Sequence, residues 1–138
     1  MTIYLDFDGT VVEHFYPIIG DQNPHCFEVL TKLFHAGHKI ILNTKRVEFM
    51  DGSLEQAMAY IAQQISVSGN IRFQEFLSEH TPMKIVPPEW DWNLHMETET
   101  IYIDDICPGI PMRNNINNLG QMVDWKAIDA QFVKQGLY

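Results

Sequence analysis

Ile3-Tyr4-Leu5-Asp6-Phe7-Asp8-Gly9-Thr10 decides the fold. A short apolar run closed by Asp-Gly reads as a buried strand that ends in a turn. The same pattern recurs twice downstream. Lys39 to Asn43 is a second apolar strand leading into Thr44-Lys45-Arg46, and Thr100 to Ile103 is a third, ending in Asp104-Asp105. Between the first two strands, Asn23-Pro24 supplies an N-cap and a first helical residue, Phe27, Leu30, Leu33 and Phe34 recur at helical spacing, and Gly37 is a stop. A second helix is predicted from about Ser53 to Ile65, with Leu54, Ala57, Met58, Ile61 and Ile65 on one face, broken by Ser68-Gly69-Asn70. Asp124 opens a last helix carrying Trp125, Ile128 and Phe132.

The remaining stretches connect these elements. Residues 10 to 22 mix β-formers with Pro17 and Gly20 and read as a short hairpin or flap. Ile71 to Leu77 fits either a strand or a short helix. Pro82, Pro87, Pro88, Trp90 and Trp92 mark an irregular stretch, and a Pro/Gly/Asn-rich loop covers 107 to 120. Alternation of strand and helix predicts a single-domain, Rossmann-like α/β fold: a three-layer α/β/α sandwich whose parallel sheet has helices on both faces.

A chain of 138 residues, 46% hydrophobic and 20% charged, fits one domain with a real core. Its net charge of −9 argues against a nucleic-acid partner held through a basic surface, since neutralising phosphates requires Lys and Arg. Cys26 and Cys107 read as reduced thiols. The N-terminus has no basic region followed by a long apolar stretch, and no apolar run approaches a membrane span, so a cytoplasmic location without a membrane partner is expected.

In open α/β sheets, ligands bind at the carboxyl ends of the strands. There the chain places Asp6 and Asp8, then Asn43-Thr44-Lys45-Arg46, then Asp104-Asp105. Four carboxylates from two strands repel one another unless a cation lies between them. Hard oxygen ligands suit Mg²⁺, which keeps several waters and takes substrate phosphate. Phosphate chemistry on a phosphorylated substrate follows.

These residues also resemble a known family. Asp6-Phe7-Asp8-Gly9-Thr10 after an apolar strand resembles the first motif of the haloacid dehalogenase-like superfamily, Ile41-Leu42-Asn43-Thr44 its second, and Ile101-Tyr102-Ile103-Asp104-Asp105 its fourth. The run from Asp6 to Gly20, with Val12-Glu13-His14 and Tyr16-Pro17, and Gly109-Ile110-Pro111 resemble a group of small bacterial members without a cap domain. The resemblance implies a phosphatase in which Asp6 attacks phosphorus and ligates Mg²⁺. It implies that Asp8 protonates the leaving oxygen, activates water and lends its backbone carbonyl to the metal. Thr44 would hold a phosphoryl oxygen, and Asp104 or Asp105, or both, would complete the metal site. Gly9, Thr10, His14, Asn43, Lys45 and Arg46 are candidates for contacting substrate.

The family's lysine is the point of departure, because residues 85 to 103 contain no Lys or Arg. Lys84 is the nearest candidate, and Lys45 or Arg46 beside Thr44 are alternatives, a guanidinium being able to grip phosphate with two bonds. Neither interval between motifs has room for a cap, so the site is expected to stay open, which suits a larger substrate or closure by a neighbouring subunit in a homo-oligomer. Two other readings compete with phosphomonoester hydrolysis: a non-catalytic module that binds phosphate or Mg²⁺, and a phosphatase for nucleic-acid ends. Dehalogenation is disfavoured by the second aspartate. Trp90 and Trp92 read as packing rather than stacking on substrate, and Cys107 as packing rather than a reactive thiol.

Overall fold

Ile3 and Leu5 are fully buried while Thr2 and Tyr4 are only partly so, the period-two pattern of a strand between two unlike faces. The computed structural model describes residues 1–80, 84–95 and 99–138, and their side chains except at 74, 77–80, 94 and 95; Pro82 lies outside them. The sheet is parallel and contains β1 (Thr2–Leu5), β2 (Lys39–Leu42), β3 (Leu77–His80) and β4 (Thr100–Ile103) in the order β3-β2-β1-β4. The chain steps outward from β1 to β2 to β3, then returns to the far side of β1. Strand order therefore reverses between β1 and β4, and the crevice beyond their carboxyl ends is where such sheets bind ligands.

Register is fixed by what each face buries. Ile3 pairs with Ile40 and Ile101, and Leu5 with Leu42 and Ile103. These six side chains share one core with Val29, Leu30 and Leu33 of α1 (Cys26–His35), Ile61 and Ile65 of α3 (Ser53–Gly69), and Ile128 and Phe132 of α6 (Trp125–Gln135). A one-residue slip would turn the strand residues out at roughly 1.5–3 kcal/mol each. In the helical layer α1 contacts both α3 and α6. The short helices α2 (Arg46–Phe49), α4 (Phe73–Phe76) and α5 (Trp92–His95) lie in connections. On the opposite face Tyr4 stacks on Tyr102 at 5.3 Å, Trp90 meets Tyr102 edge-on at 5.1 Å, and the Lys84 ammonium lies 5.0 Å from the centre of the Tyr4 ring.

Several local expectations hold, and their causes are visible. Gly37 adopts φ 89 beyond α1, where its N–H and that of His38 satisfy the carbonyls of Phe34 and Leu33. The Asp124 carboxylate caps α6 by accepting from the Ala127 N–H at 3.2 Å. Trp90 and Trp92 are buried, with the Trp92 indole donating to Gln131 Oε1 at 2.7 Å. Both cysteines are free and buried, and burial pushes the Cys107 thiol up to about 12. No helix among the described residues is long and apolar enough to cross a membrane.

Other expectations are corrected. Asn23 does not cap α1; the helix starts at Cys26, after His25 in a left-handed conformation at φ 72. The Asn23 amide is used elsewhere, donating to the carbonyls of Thr10 (2.8 Å) and Val123 (2.6 Å), so it ties the turn after β1 to the C-terminal part of the chain. The second helix runs on to Gly69, stopped by Asn70 at φ 51. Residues 71 to 80 form both a helix, α4, and a strand, β3. The loop from 107 to 120 holds one arm of an antiparallel hairpin, β5 (Met112–Asn114) with β6 (Gln121–Val123). In the flap, Glu13 N–H bonds to the Asp21 carbonyl and Asn23 N–H to that of Val11, closing residues 14–20 into a loop.

Candidate functional site

β1 and β4 are neighbours that point the same way, so Asp6, just past one, and Asp104-Asp105, just past the other, emerge together. One carboxylate oxygen from each of Asp6, Asp104 and Asp105 lies within 4.8 Å of the other two. Asp6 is 9% exposed and Asp104 3%. Burial, then the charges of Asp104 and Asp105, push the Asp6 carboxyl well above the usual range, against the hydrogen bonds from Phe7 and Thr10 that favour its ionised form. Burial, then a hydrogen bond with Asp105, push Asp104 up to about 7. Acids that resist ionising together are relieved by a divalent cation, so this donor set fits one.

Two neighbours hold the cluster in place. The fully buried Thr10 hydroxyl donates to Asp6 Oδ2 at 3.0 Å, and the Thr10 carbonyl accepts from the Trp125 indole at 2.8 Å. Thr10 thus orients Asp6 from behind rather than facing a substrate. Gly9 has φ 80, and a Cβ there would lie 2.3 Å from Asp105 Oδ2. We predict that Gly9→Ala displaces Asp105 and weakens divalent-cation affinity by about 10–100-fold in calorimetry. Unchanged affinity would mean that Asp105 is not a ligand.

The end of β2 contributes the opposite wall. Thr44 is 3% exposed, and its hydroxyl oxygen accepts from the Arg46 backbone N–H at 3.2 Å, leaving its own O–H to donate. Asn43 is spoken for: its side chain donates to the Lys84 carbonyl (3.0 Å) and accepts from the Lys84 N–H (2.8 Å). This clamp brings the Lys84 backbone to the strand end, while its ammonium lies over Tyr4 and does not line the cavity. Arg46 does line it, yet is 1% exposed and forks onto Asp8, with Nε to Oδ2 and Nη2 to Oδ1 both at 2.8 Å. Lys45 lines the cavity with its side chain exposed, and its charge is felt at Asp104.

Asp6, Asp8, Thr44, Lys45, Arg46, Asp104 and Asp105 thus surround one cavity of about 320 Å³, with exposed His14 at its edge. Tyr16, Phe49 and Ile106 complete the lining and were not singled out by sequence reasoning. Tyr16-Pro17 did carry part of the family resemblance, but nothing in the pattern marks Phe49 or Ile106. The Tyr16 hydroxyl donates to Asp51, and its ring lies 5.0 Å from that of Phe49.

Glu13 carried part of the family resemblance within Val12-Glu13-His14 but was given no role of its own, although a carboxylate after Val11-Val12 is out of keeping with an apolar run. It is buried and accepts from the Asn117 N–H (2.8 Å), the Asn117 side chain (2.8 Å) and the Asn118 N–H (3.2 Å), joining the flap to the β5–β6 turn. Burial pushes its carboxyl up, but these bonds outweigh it and the net shift is downward. Glu13→Ala is expected to speed amide exchange at Asn117 and Asn118; unchanged exchange would show that the turn holds without it.

No family model and no curated protein matches this chain. A solved structure of a conserved protein from Bacteroides thetaiotaomicron is similar over 99% of this chain and 91% of that one, with 25% sequence identity and a TM-score of 0.56. That likeness supports a small single-domain α/β fold.

Proposed function

We propose that this chain is a Mg²⁺-dependent phosphomonoester hydrolase that works through an aspartyl-phosphate on Asp6. The observation that carries the reading is the convergence of Asp6, Asp104 and Asp105 within 4.8 Å at the switch point of the sheet, in one cavity with Asp8 and Thr44. Asp6, Asp104 and Asp105, with the Asp8 carbonyl, would hold Mg²⁺, which when bound neutralises their charge and that of a phosphoryl group.

The chain's own residues then divide the work. Asp6, held by Thr10, presents a carboxylate oxygen to phosphorus. Asp8 gives its proton to the leaving oxygen as the P–O bond breaks. It then takes a proton from the water that attacks the aspartyl-phosphate, which frees Asp6 and inorganic phosphate. The Thr44 hydroxyl donates a hydrogen bond to a phosphoryl oxygen. Lys45, exposed at the cavity wall, is the cation we assign to the phosphoryl charge in place of Lys84. Two free cysteines fit a reducing cytoplasmic compartment.

The test is hydrolysis of an aryl phosphate and a panel of phosphorylated metabolites, with Mg²⁺ and with chelator. Turnover that requires the metal and leaves a phosphorylated Asp6, trapped and mapped by mass spectrometry, is the expected result. Folded protein that binds Mg²⁺ yet turns over nothing would replace this reading with that of a binding module.

A further inference from the structure

Arg46 is the largest charged side chain in the core, and every one of its donors is taken. Nε and Nη2 fork onto the two Asp8 oxygens at 2.8 Å each. Nη1 donates to the carbonyls of Pro17 and Ser53, both at 3.2 Å, and Nη2 also donates to the Ile18 carbonyl at 3.3 Å. A guanidinium has five N–H donors in a fixed plane, so none remains for a phosphoryl oxygen. The plane lies 5.0 Å from the centre of the Phe7 ring and 5.2 Å from that of Tyr16, and the side chain is 1% exposed. A buried arginine bound in this way costs too much to reorient for each turnover, since a donor set free without a partner carries its full desolvation penalty.

We infer that Arg46 serves Asp8 and not the phosphoryl group: it is a positioning residue that holds the general-acid aspartate and the 17–18 segment of the flap as one unit. The inference rests on the hydrolase reading for the role of Asp8, while the clamp itself rests on geometry alone. Its consequence is specific. In the first half-reaction, which kcat/KM reports, fixing the Asp8 carboxyl plane matters only where the leaving oxygen needs a proton; in the second, where Asp8 takes the proton of the attacking water, it matters alike for every substrate. A nitrophenolate leaves unaided as the Asp6–phosphorus bond forms, whereas an alkoxide must take the Asp8 proton as the P–O bond breaks. A residue gripping phosphate would matter equally to both.

The experiment is kcat/KM for Arg46→Lys and Arg46→Gln across dinitrophenyl, nitrophenyl, phenyl and alkyl phosphates, beside Asp8→Asn and the Asp8→Asn/Arg46→Gln double variant. The expected loss is tenfold or less for dinitrophenyl phosphate, rising to about 100-fold or more for alkyl phosphates, the range general acid catalysis supplies. The same slope is expected in Asp8→Asn, with no further loss in the double variant. A loss uniform across the series, carried by a raised KM, would overturn the inference and return Arg46 to the phosphate. The second measurement needs neither turnover nor an Arg46 variant: amide exchange in residues 14–20 of Asp8→Asn, where the fork is broken. Faster exchange than in the unaltered protein is expected, and unchanged exchange overturns the clamp. An unaltered protein inert to every phosphate would instead sink the hydrolase reading, with exchange still deciding the clamp.

Discussion

Asp6→Asn is expected to abolish turnover and, in metal-free protein at pH 8, to raise the melting temperature. The amide is nearly isosteric, and its oxygen can still accept from the Thr10 hydroxyl. It cannot attack phosphorus, so kcat should fall at least about 10³-fold, the scale seen when a nucleophile is removed from an otherwise intact site. Stability moves the other way. The Asp6 carboxylate is buried and faces Asp104 and Asp105, which is why its carboxyl is held well above the usual range. Without a cation, ionising it at pH 8 works against the fold. Steady-state kinetics together with calorimetry in chelator would check both halves. Turnover within tenfold of the unaltered protein would place the nucleophile elsewhere, and a lower melting temperature would mean the charge is compensated without metal.

The second large effect is pH-dependent. Asp104 has an ordinary value of 3.8 and is pushed up to about 7 in the fold. A carboxyl raised by folding contributes stability that is fully present below the unfolded value and is lost as pH rises through the folded one. Metal-free protein should therefore lose stability between about pH 4 and 7, by an amount on the order of 4 kcal/mol for Asp104. Glu13, Asp51 and Asp129 have lowered carboxyls, and their stabilisation fades only as pH falls into the acid range. The difference between the unaltered protein and Asp104→Asn cancels those contributions. Denaturant midpoints measured in chelator should converge near pH 4 and separate toward pH 7, with the variant the more stable. Saturating Mg²⁺ should flatten the slope of the unaltered protein. A gap that stays constant with pH would mean that Asp104 ionises freely in the fold.

Much of the fold could be read from residues whose roles are local. The Ile3–Leu5, Lys39–Leu42 and Thr100–Ile103 runs are strands because short apolar, β-rich segments have few other ways to bury themselves. Gly37 and Asp124 end and begin helices through bonds within a few residues. The carboxylates were legible for the same reason: Asp6, Asp104 and Asp105 follow their strands directly, and parallel pairing brings those strand ends together.

What sequence order left open depended on bonds between distant segments. Asn23 resembles a helix cap by its neighbours, but its amide reaches Thr10 and Val123 instead. In the sequence Lys84 is the nearest candidate for the family's lysine, with Lys45 and Arg46 as alternatives. The tertiary structure separates them by what surrounds each: the Tyr4 ring for Lys84, open cavity for Lys45, and Asp8 with the Pro17, Ile18 and Ser53 carbonyls for Arg46. Strand and helix signals are carried by neighbours along the chain, so composition and spacing determine them. Where a charged side chain spends its donors is set by which carbonyls and carboxylates the fold brings within 3 Å or so, and that is decided only when the whole chain has packed.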